Sequence, residues 1–516
     1  MSPSRSILLV GEGNFSFSAS LSSETETRVT ATCPQRQEDA LRHEGAAENI
    51  EMIRDSGGLV LFEVDCTKLQ QSAPLRGCLF HRVVFNFPHC GRKSGVKKNR
   101  ELLKKFFLSC VQLLSEDGEV HVSLCNGQGG TPADQPKREW HNSWQVAAMA
   151  AEAHLILKDV RPFEKEKYQS YKCTGYRSQD KGFHVEKGLL HVFTRSLPYS
   201  PTEILTVEEA VDGDQVLYNM PAELSDCVFR GFLCSGSVHP VRLVQDFLLK
   251  GLAEKWSVSM TTETVPFLLK GKQLQAFGCD VDSADCYWIH LLQKDEAYAA
   301  LFGISGLVFK NVPVNLWNLP AFHELLLGGV FPSASEPIRL IGQRLETLLA
   351  PYGVSLVTEQ GGSAFDRTAK GIGCVRVTVS LNLDLLSVLL FSLPDWRLLW
   401  SHDPRFLRQF ELRPPPGKPF QPFSLFPEHF SFDISFWTGP TWAERKFHAA
   451  IREASHGTVE QVKLVDTFSH PDLSQTSYCY RLIYHSNTHA LSHTQALQFH
   501  KDLETFLTSR LQVTIR

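Results

Sequence analysis

Thirteen cysteines are present, yet no two form a C-x-x-C pair and none joins histidines in a cluster. That argues against a zinc site and against a secreted disulfide framework; free thiols in a reducing compartment fit better, and no metal is expected. No apolar run reaches the length of a transmembrane helix. A strong charge of one sign is also missing. The net charge is -4 with a pI of about 6.6, so any nucleic-acid site must be a local patch. The first strand is predicted from near Ser6, which leaves no room for a signal peptide or an Arg-rich transit helix. Cytosol, nucleus or nucleolus is the expected location. What is present is a globular composition, with 43% hydrophobic and 21% charged residues. At roughly 150 residues per domain, the length suggests two to four domains.

The first third alternates apolar β-like runs with helical periods, the pattern of a parallel α/β sheet. Strands are predicted at SILLVGEG, RVTATC (Arg28–Cys33), LVLFEVDCT (Leu59–Thr67), FHRVVFNFPH (Phe80–His89), GEVHVSLC (Gly118–Cys125), HLILKDVRPF and LLHVFTR (Leu189–Arg195). Helices separate them, one stopping at Gly57-Gly58 and one running from Asn99 to Leu114. In such sheets a ligand sits beyond the carboxyl ends of the strands, where the strand order reverses.

Three strand ends carry chemistry. Gly11 and Gly13 in ILLVGEGNFSFS allow a tight turn and close approach of backbone to a ligand, without the third glycine of dinucleotide folds. Phe15 and Phe17 suit core packing equally well. Asp65 closes the third strand, where a carboxylate either accepts a hydrogen bond from a nucleoside or caps a turn. Strand four ends in Asn86-Phe87-Pro88-His89, an Asn-x-Pro-aromatic turn that resembles the NPPY-type element of base methyltransferases, where amide and ring grip a planar base; the alternative is an ordinary proline turn.

Taken in order, ILLVGEGNFSFS, VDCTKL, VVFNFPHCG, NRELLKKFFLSC, GEVHVSLC, SWQVAA and YKCTGYR resemble the Rossmann-like family of ribosomal-RNA uridine-N3 methyltransferases, over residues 1–196. The resemblance implies S-adenosylmethionine as cofactor and a base nitrogen as methyl acceptor. It places Gly11, Glu12 and Gly13, with Asn14 and Phe15 beside them, on the cofactor's methionine and ribose part. Asp65 would face adenine, and Asn86, Phe87, Pro88 and His89 would line the target base. There are departures. Asn14 stands where the family has Asp, CGRKSGVKKNR replaces a glycine-rich loop, and strand two ends in Cys33-Pro34 with no carboxylate for a ribose. His89 is read either as the base for the uridine N3 proton or as a structural or stacking ring. Arg92, Lys93, Lys97, Lys98 and Arg100 are read as phosphate contacts, which would make binding salt-dependent, or as a solvated face. A target inside paired RNA would have to be flipped out.

From about Ser196 to Gly373 the pattern is weaker, and a middle domain is expected over 205–415. Tyr199-Ser200-Pro201-Thr202 reads as a linker, and His239–Trp256 and Ile338–Gly353 read as amphipathic helices. FSLPDWRLLWSHDPRFLRQF (Phe391–Phe410), FPEHFSFDISFW, VKLVDTFSHP and TSYCYRLIYHS resemble the C-terminal part of organellar phenylalanyl-tRNA synthetases. That family's third class II signature, Gly-Leu-Gly-Leu-Glu-Arg-Leu, is matched here by Ser380-Leu381-Asn382-Leu383-Asp384-Leu385-Leu386. Leu385 replaces the arginine that clamps ATP phosphate, and leucine brings neither donor nor charge. The expectation is a degenerate class II synthetase-like α+β core that no longer activates an amino acid.

Residues 422–516 read strand, helix, strand, strand, helix, strand, a ferredoxin-like βαββαβ order. The resemblance identifies this part as a ferredoxin-fold anticodon-binding domain, which implies tRNA contact through the open sheet face. Lys463, Tyr478, Tyr480, Arg481 and Tyr484 are the candidates, although alternation must turn some of the tyrosines toward the helices. Asp433 is expected to be structural. The function expected is an S-adenosylmethionine-dependent RNA methyltransferase acting on uridine N3 of rRNA, with tRNA as a second candidate partner. The alternative is a catalytically inactive RNA-binding adaptor.

Overall fold

The structure, a computed structural model, describes residues 5–23, 27–91, 94–168, 171–174, 185–200, 203–211, 213–222, 225, 229–261, 298–309, 321–355, 374–425, 428–471 and 475–516. It divides into two compact units, residues 1–200 together with 422–516, and residues 201–421.

The head of the first unit is built on β1 (Arg5–Val10), β2 (Thr27–Thr32), β3 (Leu59–Leu61), β4 (Phe80–Asn86), β5 (Leu114–Leu124), β6 (Leu155–Pro162) and β7 (Leu189–Arg195). Their order is β3-β2-β1-β4-β5-β7-β6, with β7 antiparallel to both its neighbours and β1 to β5 parallel. Apart from the inserted β7, this is the 3-2-1-4-5-6 order of doubly wound folds. Successive side chains of a strand point to opposite faces, so an apolar run feeds two cores. Leu8 and Val10 join Phe106 and Phe107 on one side, while Ile7 and Leu9 join Phe17 and Ile53 on the other. The helix Val96–Cys110 buries Leu103, Phe106, Phe107 and Cys110, three to four residues apart, on the first of these cores. The third strand is shorter than the sequence suggests. Glu63 adopts a left-handed backbone (φ 55), which ends the ladder and leaves Asp65 in the following loop.

The second unit carries the hairpin β8 (Ile204–Val211) and β9 (Asp214–Pro221). Its main sheet joins β10 (Ser257–Met260), β11 (Ala300–Phe309), β12 (Ala321–Pro332) and β13 (Cys374–Asn382) in that order. The β11 to β13 ladders are antiparallel, and the helix Leu383–Leu390 follows β13 directly.

The tail returns to the first unit. It consists of β14 (Phe430–Trp437), β15 (Val459–Ser469), β16 (Thr476–Tyr484) and β17 (Thr514–Ile515), ordered β15-β16-β14-β17 with antiparallel pairs throughout. The helices Glu444–Ala454 and His493–Leu511 pack on one face, burying Phe447, Ile451, Leu503 and Leu507 against Ile434, Phe436, Tyr480 and Leu482. A capping box, Ser492 with Gln495, opens the second helix. Head and tail share the unit through polar and aromatic contacts. Ala490 N–H donates to Ser196 Oγ (2.7 Å), Thr494 Oγ1 to Glu152 Oε2 (3.0 Å), and Tyr199 stacks on His489 at 4.4 Å.

Candidate functional site

At the tip of β1, Gly11 takes φ +72 and Phe15 takes φ 60; at the tip of β4, Phe87 takes φ 49. Left-handed aromatics cost on the order of 1–3 kcal/mol each, and such strain clusters at ligand sites. Here it falls on the two central strands, where the sheet order reverses. The Glu12 carboxylate is drawn inward: its Oε2 accepts from Ser18 N–H (3.2 Å) and Ser18 Oγ (2.8 Å), and burial raises its pKa. Asn14 Oδ1 accepts from Ser16 N–H and Oγ, so the position lacking the family's charge helps to start the helix Ser16–Ser22.

Asn86 ends β4. Its Oδ1 accepts from Ser123 Oγ at 2.8 Å, while its Nδ2 is buried with no hydrogen-bond partner among the described residues. Buried amide donors are normally satisfied, so this orphan needs an explanation. The His89 Nδ1 accepts from Gly91 N–H at 2.9 Å, and burial lowers its pKa. The ring is therefore neutral with its proton on Nε2: a donor, with the lone pair of Nδ1 already used. That weighs against His89 as the base.

Phe15 and Phe87 are 0% and 7% exposed and belong to the core beside Phe17 and Phe163, so the structure corrects the expectation that they face ligand. Pro88 is buried as well. Asp65 is exposed, with Oδ1 accepting from Thr67 N–H and Oγ1, the turn-capping alternative. Cys33, at the tip of β2, is fully buried, and burial raises its thiol pKa to about 11. One participant lacked an assigned role in the sequence. The segment Tyr171–Thr174, from YKCTGYR, lies over the glycine turn: Lys172 N–H donates to Ser16 Oγ, and a Cβ on Gly13 would come 2.3 Å from Thr174 Oγ1.

Of the basic run, Arg92 and Lys93 lie outside the described residues. Lys97 and Lys98 are exposed. Arg100 instead turns inward and donates to the carbonyls of His141 (2.7 Å) and Ser143 (2.6 and 2.9 Å), which pins the loop after β5.

The open face of the tail differs from expectation in its aromatics. Tyr478, Tyr480 and Tyr484 share one parity, and all three point to the helix side: Tyr480 and Tyr484 are buried, and Tyr478 stacks on Trp442 at 5.4 Å. They are core residues. Arg481 and Lys463 do stand on the exposed side, and Arg481 forms a two-pronged pair with Asp433 at 2.7 and 2.8 Å. The aromatics of that face come from other strands. Trp437 and Phe468 both pair in register with Ser477, their rings 5.9 Å apart; Arg516 lies over Trp437 at 5.3 Å, and His470 adjoins both rings. An aromatic and guanidinium surface on an open sheet is suited to stacking unpaired bases.

Comparison with known proteins agrees with this division. Residues 8–175 match the family described as rRNA (uridine-N3-)-methyltransferase BTM5-like, and residues 424–516 match the ferredoxin-fold anticodon binding domain. The chain is 36% identical to the Homo sapiens ferredoxin-fold anticodon-binding domain-containing protein 1, over 98% of this chain and 99% of that one. The chain belongs to that family. The Mus musculus homolog in the ferredoxin-fold anticodon-binding domain-containing protein 1 family is 34% identical over 97% of this chain and 98% of its own length. The Mus musculus mitochondrial phenylalanine–tRNA ligase is 34% identical, over 34% of this chain and 37% of that one.

In this member of the ferredoxin-fold anticodon-binding domain-containing protein 1 family, the synthetase-like signature has turned into a closed helix start. Asn382 Oδ1 caps the Leu385 N–H at 2.9 Å, and Ser380 Oγ bonds Glu324. Asp384 is 1% exposed, its Oδ2 accepting from His323 N–H at 2.6 Å. Leu385 offers a 38% exposed apolar surface where the resemblance has an arginine. The backbone donor of Leu385 and one oxygen of the Asp384 carboxylate are committed to the fold, while Asp384 Oδ1 is buried with no hydrogen-bond partner among the described residues.

Proposed function

We propose that this chain is an S-adenosylmethionine-dependent RNA methyltransferase, that its acceptor is uridine N3 in rRNA, and that the tail's open face holds an RNA segment, rRNA or tRNA. The observation that carries the reading is the buried, unpartnered Nδ2 of Asn86, fixed by Ser123 at the carboxyl end of β4. An amide donor held rigid and dry beside a left-handed turn suits the carbonyl oxygen of a base. The residues fit the cofactor at the neighbouring tip: Glu12 is a half-buried carboxylate with Oε2 engaged by Ser18, and the Gly11 turn brings backbone to the surface. When bound, S-adenosylmethionine supplies an electrophilic methyl group. The chain's share is orientation: Asn86 donates to the base edge, and Tyr171–Thr174 keeps water from the glycine turn. The N3 proton leaves to solvent, since the acceptor nitrogen of His89 is occupied.

A second reading, an inactive RNA-binding adaptor, is favoured by the buried thiol of Cys33 at the tip of β2 and by Thr174 standing over Gly13. Incubating the full chain with labelled cofactor and RNA from cells lacking the protein separates the two. N3-methyluridine in the digested RNA supports the enzyme; tight RNA binding without label supports the adaptor.

A further inference from the structure

We propose that His429, Glu460 and His485 form a site for one divalent transition-metal ion, zinc being the best match to two imidazoles and a carboxylate. The three residues come from three strand ends. His429 immediately precedes β14 and His485 immediately follows β16, one step beyond the register pair Phe430 and Tyr484. Glu460 is the extra residue of a bulge in β15, where pairing jumps from Val459 to Gln461. Bulges re-aim side chains at functional sites, and this one brings a carboxylate beside the two rings.

The distances leave room for one shared ion. Glu460 Oε2 lies 3.2 Å from His485 Nδ1 and 3.7 Å from His429 Nδ1, and one ligand atom from each residue falls within 4.8 Å of the others. Donors bound tetrahedrally to zinc at about 2.0–2.1 Å sit about 3.3 Å from one another. His485 supplies the independent sign. It is 6% exposed, and neither of its ring nitrogens has a hydrogen bond among the described residues. Glu460 is near enough to bond it but does not lie along the direction a hydrogen bond requires. Lone pairs aimed at a shared cation approach one another in this sideways manner. Native proteins rarely leave a buried imidazole bare at both nitrogens.

The rings of His429 and His485 are parallel, 4.2 Å apart and 8° from coplanar orientation. An ion must lie near the plane of each ring, so binding turns the exposed His429 out of the stack. Three protein ligands leave the fourth position to water or an incoming anion. The turn after His485 carries His489 and Ala490, which meet Tyr199 and Ser196 of the head, so a bound ion also stiffens the joint between tail and head. The site does not depend on the proposed methyl transfer.

The test uses the full chain, stripped with chelator and titrated with zinc against a chromophoric competitor, and separately with cobalt(II). One ion per chain is expected, with cobalt bands of a nitrogen and oxygen site and no thiolate charge transfer. His429→Ala, at an exposed position that keeps the fold, and Glu460→Gln should each weaken binding on the order of 100-fold, since even partners behind a ligand contribute about 10–100-fold. Affinity unchanged in both variants, a thiolate band marking the ion as cysteine-held, or no binding at micromolar zinc would each overturn the site.

Discussion

Removing Asn86 and Ser123 together tests what the buried amide is for. In the resting fold, Asn86 Nδ2 has no partner among the described residues, and an unsatisfied buried donor costs about 1–3 kcal/mol. The Ser123 Oγ bond to Asn86 Oδ1 contributes about 0.5–1.5 kcal/mol in return. Asn86→Ala with Ser123→Ala deletes the orphan and the bond at once and strands no hydroxyl. Stability should therefore change little, within about 1–2 kcal/mol and toward greater stability. If the amide donates to the base in the transition state, the same double variant loses about 1–3 kcal/mol of barrier lowering, roughly a 5- to 150-fold fall in kcat/KM. The assay is transfer of labelled methyl to an unmodified rRNA transcript, run beside thermal unfolding with and without S-adenosylmethionine. Saturating cofactor, at about 100 times its Kd, adds about 2.7 kcal/mol to any fold that binds it. That increment should survive, because Asn86 addresses the target and not the cofactor. Undiminished transfer by the double variant refutes the reasoning, as does a fall in Tm large enough to explain lost transfer by unfolding.

Glu119, held by His121 Nε2 at 2.9 Å and Lys158 Nζ at 2.7 Å, has its pKa lowered to about 2, chiefly by the His121 hydrogen bond. Its stabilisation is complete above the ordinary carboxylate value of 4.5 and fades as pH falls toward about 2, so Glu119→Gln should lower stability at pH 7 and converge with the wild type in acid, as followed by urea unfolding across pH. Trp437→Ala with Phe468→Ala should weaken RNA binding by about 1–3 kcal/mol per stacked base at an unchanged Tm. Lys463→Ala should lower the salt slope of binding by about one in a filter assay. Gly13→Ala drives a Cβ to 2.3 Å from Thr174 Oγ1, costing about 1–3 kcal/mol in thermal unfolding, and Thr174→Gly in the same chain should restore it.

Much of this architecture was legible because strands state their burial in period two. Ile7 to Val10 is apolar at every position and runs straight into Gly11, as a short strand covered on both faces does. The same period already implied that Tyr478, Tyr480 and Tyr484 share a face, and Leu482 between them shows which. Other features depend on register, which one strand does not contain. Trp437 and Phe468 become neighbours only through Ser477 on a third strand, and Glu460 reaches the two histidines only because a bulge breaks the alternation. The basic run misled for a related reason: helical rotation leaves Lys97 and Lys98 in solvent and turns Arg100 onto backbone carbonyls. Least legible was the union of head and tail. Its bonds join residues 294 and 342 positions apart and use small polar groups that no hydrophobic pattern announces. Because those bonds hold the tail to the head directly, the tail's place does not depend on the chemistry of the intervening residues. The turn at Asn382–Leu385, where the side chain of Asn382 caps the following helix, therefore lies outside the bonds that join head and tail.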